Sequence, residues 1–183
     1  SLLGVLAREI TSNSDEFTPN MIASSFFGLQ KLSGETASVT AVLEALYTKM
    51  TISDAIFDSK DIGNSFFGLL NIGPNHEITQ RILMVLKGKM ERNMEDNMND
   101  DNQRVILMDD YTRNAVSLYV ERLDGATDPT LSFIKSVKAA MVAYLHLADI
   151  VSKNMKMNEM IKEEARSAEA SNAGKNDEEC VGG

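Results

Sequence analysis

The sequence predicts an all-α protein: an α-solenoid of tandem antiparallel helix hairpins with about 40 residues per repeat. The pentapeptide Ser-Phe-Phe-Gly-Leu occurs at 25–29 and again at 65–69. The same shift also pairs Phe17 with Phe57, Ile22 with Ile62, Leu32 with Ile72, Val42 with Ile82, Leu43 with Leu83, Leu46 with Leu86, Lys49 with Lys89 and Met50 with Met90. Repeats of this length are typical of arrays in which each unit buries its apolar face against its neighbours.

The repeat extends backwards to the start of the sequence. Three apolar residues lie where a unit has the apolar residues of its second half: Leu3, Leu6 and Ile10. We therefore expect a half repeat at 1–16 and further repeats at 17–56 and 57–90. The first half of the opening unit, together with any targeting segment, is expected upstream of Ser1.

Each unit is expected to begin with one helix, helix A. Thr18 precedes a proline in the first unit, and Asp58 has the same position in the second. Short oxygen-bearing side chains cap helix N-termini, and proline suits the first helical position. Helix A is predicted to run to about Leu32 or Ile72, where Ser33-Gly34 and Gly73-Pro74 follow, glycine providing a left-handed C-cap.

A second helix, helix B, follows in each unit. Its apolar residues recur with the 3.6-residue period of an α-helix. They are Val39, Val42, Leu43, Leu46 and Met50 in one copy and Ile78, Ile82, Leu83, Leu86 and Met90 in the other. The short turn between helix A and helix B predicts an antiparallel hairpin.

The pattern changes after Met90. Residues 91–103 are polar, acidic and rich in asparagine, which predicts a loop. Helical patterns resume near Arg104, and we expect degenerate terminal helices across 104–166, with a break at Lys153 and a separate helix from Asn154. Residues 167–183 are small, polar and charged, and are expected to be a disordered tail.

Composition limits the classes of function. The 183 residues carry a net charge of −9, which disfavours a generic nucleic-acid binder. The excess is uneven, since residues 1–90 carry 7 basic and 9 acidic side chains and residues 91–183 carry 11 and 18. A single cysteine, Cys180, excludes an intrachain disulfide. No run of apolar residues is long enough to predict a membrane span, so no membrane partner is expected.

No pattern of catalytic residues is found. His76 and His146 have no cysteine, histidine or acidic residue at ligand spacing, so we expect no metal, no cofactor and no small-molecule substrate. The pairs Asp109-Asp110 and Glu163-Glu164 are adjacent on predicted helices and therefore point in different directions. The chain is predicted not to be an enzyme.

Helix A has one conserved stripe and one variable stripe when its two copies are compared. At about 100° per residue, Ile22, Phe26 and Leu29 share the apolar stripe, which is the predicted core. The polar stripe differs between copies: Asn20, Ser24 and Lys31 in the first, Lys60, Asn64 and Asn71 in the second. Such variation suits units that each contact a different base of an RNA, or else it is drift of a surface without function.

Two further aromatic residues, Phe27 and Phe67, lie beside the polar stripe. They are candidates for stacking on RNA bases, and the alternative is packing between neighbouring repeats. Gly28 and Gly68 follow them, and a glycine within a helix allows another helix to approach closely.

The unit F-x4-I-x2-SFFGL-x2-L/I, followed by a turn and L-x2-L-x3-M, resembles the helical repeats of organellar proteins in algae and related protists. It is similar to octotricopeptide-type repeats and to helical-repeat proteins of the kinetoplastid RNA-editing substrate-binding complex. The resemblance covers Leu2 to Met90. It implies non-catalytic, sequence-directed binding of single-stranded RNA in a mitochondrion or chloroplast, supporting RNA processing, stability or translation. The alternative function is a protein-protein interaction scaffold, a common role of α-solenoids.

Overall fold

The structure is a computed structural model that describes residues 1–96, 106–124 and 131–176. Every regular element in these ranges is an α-helix, which confirms the all-α class. The helices are α1 (Leu2–Ser12), α2 (Pro19–Gly28), α3 (Ala37–Ile52), α4 (Ser59–Leu69), α5 (Glu77–Asp96), α6 (Asp110–Asp124) and α7 (Leu131–Asn176). They belong to two compact units, Ser1–Ala148 and Asp149–Gly183, and the second contains the C-terminal part of α7.

Two sets of helices lie side by side in the first unit. Helix α2 packs against α4, and α4 packs against α6. In the same way α1 packs against α3, and α3 packs against α5. We call α2, α4 and α6 the A helices and α1, α3 and α5 the B helices. The two sets meet where α2 contacts α3 and where α4 contacts α5.

The A helices begin with the same kind of cap. Side chains of Thr18, Asp58 and Asp109 each accept a hydrogen bond from the backbone N–H three residues further on, at 3.2, 2.9 and 2.7 Å. The first two caps are as predicted. The third corrects the predicted helix start near Arg104, which itself lies outside the described residues, because 106–109 are not helical and α6 begins at Asp110.

The A helices end earlier than predicted. Helix α2 ends at Gly28 and α4 at Leu69, since tighter turns with hydrogen bonds three residues back replace the expected last helical turn. The left-handed cap at Gly73 is confirmed. Its φ is +79°, and its N–H donates to the carbonyl of Leu69 at 3.0 Å.

Gly34 does not have the predicted left-handed conformation, since Gly73 is the glycine with positive φ in the described ranges. A Cβ on Gly34 would lie 2.7 Å from Cγ2 of Ile72 and 2.9 Å from Nε2 of His76. The turn after α2 therefore packs closely against the turn after α4, and a larger side chain at position 34 would have to displace Ile72 or His76.

The predicted apolar stripes form the core. Phe26 and Phe66 are completely buried, as is Phe57. The apolar positions predicted for helix B are all buried as well, in α3 and in α5. Burying an aromatic side chain of this size contributes about 2–3 kcal/mol, so these residues supply much of the stability of the repeats.

A buried lysine recurs at the same place in successive units. The Lys49 ammonium bonds to two backbone carbonyls of the loop before α2 and lies 4.8 Å from the ring centre of Phe17. The Lys89 ammonium makes the same contacts before α4, at 4.9 Å from the ring centre of Phe57. Burial lowers the pKa of Lys89, and the nearby Arg92 adds to this effect. The 40-residue period of the sequence is thus also a period of specific contacts.

The acidic segment 91–103 is helical in its first part rather than a loop from its start. Helix α5 continues to Asp96, and residues 97–103 lie outside the described residues. Asn93 explains the extension, since its buried amide donates to the carbonyl of Phe57 at 2.6 Å and to the Tyr144 hydroxyl at 3.1 Å. A polar residue that satisfies buried groups in this way belongs to the core.

Helix α7 is longer than predicted. The expected break near 153–154 is absent from Leu131–Asn176, and the predicted disordered tail is helical as far as Asn176. The reason is composition, because alanine, methionine, lysine and glutamate favour the helix and no proline interrupts it. The rest of the predicted tail, 177–183, lies outside the described residues.

Candidate ligand-binding face

Four of the six polar side chains predicted to bind RNA lie on two adjacent A helices, α2 and α4, and the other two, Lys31 and Asn71, lie in the turns that follow these helices. Five are exposed and Asn64 is half-buried, the five being Asn20, Ser24, Lys31, Lys60 and Asn71. We call these six side chains the polar face. Because α2 and α4 pack directly against each other, the helical members of the two copies lie on neighbouring helices.

One residue of the polar face also joins the two helices. The side-chain amide of Asn71 donates to the backbone carbonyl of Gln30, next to Lys31. The bond ties the turn after α4 to the turn after α2. The structure therefore brings Asn71 close to Lys31, and it gives Asn71 a structural contact that the sequence did not predict.

The two aromatic candidates stack on each other. The ring centres of Phe27 and Phe67 are 5.5 Å apart with an angle of 23° between the planes. Both rings are half-buried. The contact corresponds to packing, the alternative to base stacking. Each ring covers part of one face of the other ring, and only the remainder is accessible to a ligand.

A third aromatic residue, Tyr111 of α6, was missed by the sequence comparison. Its ring centre lies 5.6 Å from that of Phe67 and 6.4 Å from that of Phe27, and its side chain is 43% exposed. The signal that could have found it is Asp109, which caps α6 as Asp58 caps α4. We call Phe27, Phe67 and Tyr111 the aromatic cluster.

Acidic residues surround the lysine at the start of α4. Lys60 lies between Asp58, the helix cap, and Asp61, which is only 7% exposed. Burial raises the pKa of Asp61 to about 6, and the carboxylate of Asp58 adds to this shift. Asp61 is mainly ionised at pH 7, so these carboxylates reduce the positive potential that Lys60 offers to an anionic ligand.

The part of the chain that the structure describes has neither a metal site nor a membrane-spanning helix. No group of three or more histidine, cysteine or carboxylate side chains is placed to hold a metal ion among those residues. His76 contacts the turn at Gly34, and His146 is an exposed residue of α7. Among the described helices, none combines the length and the apolar content needed to cross a membrane.

Comparison with known protein families, curated proteins and solved structures gives no match to this chain.

Proposed function

We propose that the chain forms an α-solenoid of about 40-residue repeats whose polar face binds single-stranded RNA without catalysing a reaction. Contacts that recur at the repeat period support the architecture. Lys49 and Lys89 bind equivalent loop carbonyls, and Thr18 and Asp58 cap equivalent helices. The succession of A helices and the succession of B helices agree with stacked hairpins.

The observation that supports RNA binding is that equivalent surface positions of the two copies carry different polar side chains. Asn20 and Lys60 differ in their hydrogen-bonding groups, and so do Ser24 and Asn64, although their helices share a fold and a core. In helical repeats that recognise RNA, two or three such side chains in each unit select one base. The accessible edges of the aromatic cluster would add apolar contacts to bases.

The cellular role follows from the resemblance of the unit to octotricopeptide-type repeats. It supports a location in a mitochondrion or chloroplast and a role in RNA processing, stability or translation. The polar face has two cations, Lys31 and Lys60, so the affinity is expected to depend only moderately on salt.

The test is binding of a fluorescein-labelled pool of random single-stranded RNA, followed by anisotropy over a range of salt concentrations. We expect the double variant Lys31→Ser/Lys60→Ser to weaken binding to every RNA and to reduce the salt slope by about 1.4, or about 0.7 for each lysine. Asn64→Ser should instead change the sequences that selection enriches, because it alters a base contact and not a phosphate contact.

The matched control is Lys135→Ser, which removes an exposed lysine from α7. It should leave both the affinity and the salt slope unchanged. Absence of binding at low salt, or equal effects of the control and the double variant, would overturn the RNA proposal.

A second candidate, a protein-binding scaffold, is favoured by the mutual stacking of Phe27 and Phe67 and by the carboxylates beside Lys60. The stacking reduces the ring area that is accessible to a base, and the carboxylates reduce the positive potential that Lys60 offers to a phosphate. Selection from a library of peptides would then enrich a common motif, and substitutions on the polar face would abolish its binding.

A further inference from the structure

The three A helices can be aligned by the capping side chains at which they begin. Two residues after the cap, α6 has Tyr111 where α2 and α4 have Asn20 and Lys60. The residues that lie thirteen positions after the caps are Lys31, Asn71 and Arg122. The alignment therefore identifies two residues of α6, Tyr111 and Arg122, that correspond to residues of the polar face.

A recurring contact supports this alignment. Asn71, in the turn after α4, donates to the Gln30 carbonyl in the turn after α2. Arg122 reaches back by one unit in the same way, since its Nη2 lies 3.6 Å from the position that a Cβ on Gly73 would take, in the turn after α4. Equivalent residues thus contact the turn that follows the preceding A helix.

Arg122 also borders a cavity of about 300 Å³ beside the turn after α4, which we call the Arg122 cavity. The other polar side chains of its lining are Asn75, His76 and Glu121. Three of the four polar residues are exposed and His76 is half-buried, so their polar groups are accessible to a ligand. This volume is at the lower limit of small-molecule sites and suits a group no larger than one nucleotide.

The polar groups of the cavity favour an anion. The Arg122 guanidinium is always charged and carries only donors, arranged in a planar fork that matches two oxygens of a phosphate. The Asn75 amide and the His76 imidazole can each donate a further hydrogen bond. Among the described residues of the lining, Glu121 is the one acidic side chain, so its carboxylate opposes the binding of an anion.

We propose that the Arg122 cavity binds a backbone phosphate of the single-stranded RNA that lies along the polar face, an inference that rests on the proposed function. Packed helices lie about 8–10 Å apart. A ligand in contact with both Lys31 and Arg122 therefore extends across three A helices, which a polymer can do and a free phosphate cannot. Phosphate contacts fix the register of a nucleic acid, so Arg122 should set affinity and register rather than the preferred sequence.

The first experiment measures binding of the labelled random RNA to the full chain by anisotropy over a range of salt concentrations. Arg122→Gln should weaken binding to every RNA about fivefold and reduce the salt slope by about 0.7, the value for one phosphate contact to a single strand. Arg122→Lys keeps the charge and loses the fork, so the slope should be retained while the affinity falls about twofold. Glu121→Gln should have the opposite effect and strengthen binding about twofold.

Arg8→Gln is the matched control, because it removes an exposed arginine from α1, a B helix that contributes no residue to the Arg122 cavity. It should leave both the affinity and the salt slope unchanged. The melting temperatures of all four variants should equal that of the parent chain, since the replaced side chains are exposed. A loss of binding in Arg122→Gln is then not a loss of fold.

The second experiment locates the ligand without a substitution in the cavity. The chain has two histidines, His76 in the cavity and His146 on the exposed surface of α7, so the imidazole signals in an NMR spectrum include an internal reference. Short random RNA should shift the signals of His76 saturably and leave those of His146 unchanged. Uridine 5′-monophosphate should need at least a tenfold higher concentration for the same shift, because it makes no second contact with the polar face.

Three results would overturn this inference and leave the proposed function in place. One is an unchanged salt slope in Arg122→Gln when the parent chain binds RNA. Another is an equal shift of His76 and His146. The third is a shift of His76 by polyglutamate at the concentration at which RNA acts, which would make the cavity a site for carboxylates of a protein. Absence of RNA binding by the parent chain, with His76 still shifted by uridine 5′-monophosphate, would instead overturn the proposed function and make a free nucleotide the ligand of the cavity.

Discussion

The two copies of Ser-Phe-Phe-Gly-Leu have the same five letters and different surroundings. The second copy, in α4, has an A helix on each side, α2 and α6. The first copy, in α2, has α4 on one side and, on the other, an open groove lined by Leu3, Leu6 and Ile10 of α1. Ser65 and Gly68 are consequently buried, whereas Ser25 is half-buried and Gly28 is exposed.

The comparison separates two reasons for repeating a residue. Phe26 and Phe66 are equally buried, so each is needed by the helices that pack around it. Gly28 and Gly68 differ, so the glycine is needed by the contact with the preceding helix. A residue that is present in both copies can thus be required for a contact that only one copy makes in this chain.

The largest effect is expected where the copies agree. Phe26→Ala and Phe66→Ala should each lower the free energy of unfolding by roughly 3–5 kcal/mol, because each leaves a cavity among completely buried side chains. Urea denaturation followed by circular dichroism measures both. A difference of more than about 2 kcal/mol between the variants would contradict the equivalence of the two copies.

The next effect should appear where the copies differ. Gly68→Ala places a Cβ 2.0 Å from the Phe26 carbonyl oxygen and forces α4 away from α2, at a cost of about 2–3 kcal/mol. Gly28→Ala meets open space and should stabilise α2 by a few tenths of a kcal/mol, since alanine favours the helix. Equal melting temperatures for the two variants would show that the close approach is not needed.

The residues that were predicted correctly share one property. Their contacts are made with near neighbours in the sequence, or the residues recur at a fixed interval. Thr18 and Asp58 cap their own helices, and the apolar stripes of α3 and α5 follow the helical period. Such signals are contained in a few neighbouring residues. They were sufficient for the all-α class and for the core of the two repeats.

The features that were missed depend on distant partners or on a changed interval. The interval from Asp58 to Asp109 exceeds the 40 residues from Thr18 to Asp58, so a fixed shift did not align α6 and did not find Tyr111. Asn93 resembles a loop residue until its two buried partners are known. The polar face was predicted from helical spacing and from its variation between the two copies, whereas the bond from Asn71 to Gln30 was not predicted.

A smaller effect concerns a position at which the copies differ in charge. Met21 in α2 is exposed, and its counterpart Asp61 in α4 is buried with its pKa raised from 3.8 to about 6. Because the folded state favours the protonated carboxyl, this contribution to stability is complete below pH 4 and is lost as the pH rises through 6.

Asp61→Asn should therefore remove that pH dependence and stabilise the protein at pH 7 by about 1 kcal/mol, after allowance for screening by solvent. Thermal unfolding between pH 4 and pH 7 measures the effect. Asp109→Asn is the control of opposite sign, because the hydrogen bond from the Thr112 N–H lowers the pKa of Asp109. A steeper pH dependence in Asp61→Asn would contradict the assignment.

The smallest effect is expected in the part of the chain that has no repeat. Residues 167–169 are exposed on α7, and Ser167 donates to the Glu163 carbonyl one turn earlier within the same helix. Deleting 167–183 should remove helical signal at 222 nm and leave the melting temperature unchanged within about 1 °C, because an exposed helix end buries little apolar surface. A matched deletion of 1–12, which removes α1 and its packing on α3, should lower the melting temperature by many degrees. A large decrease from the C-terminal deletion would instead show that the end of the chain packs, and that it contributes to stability together with helices α1 to α6.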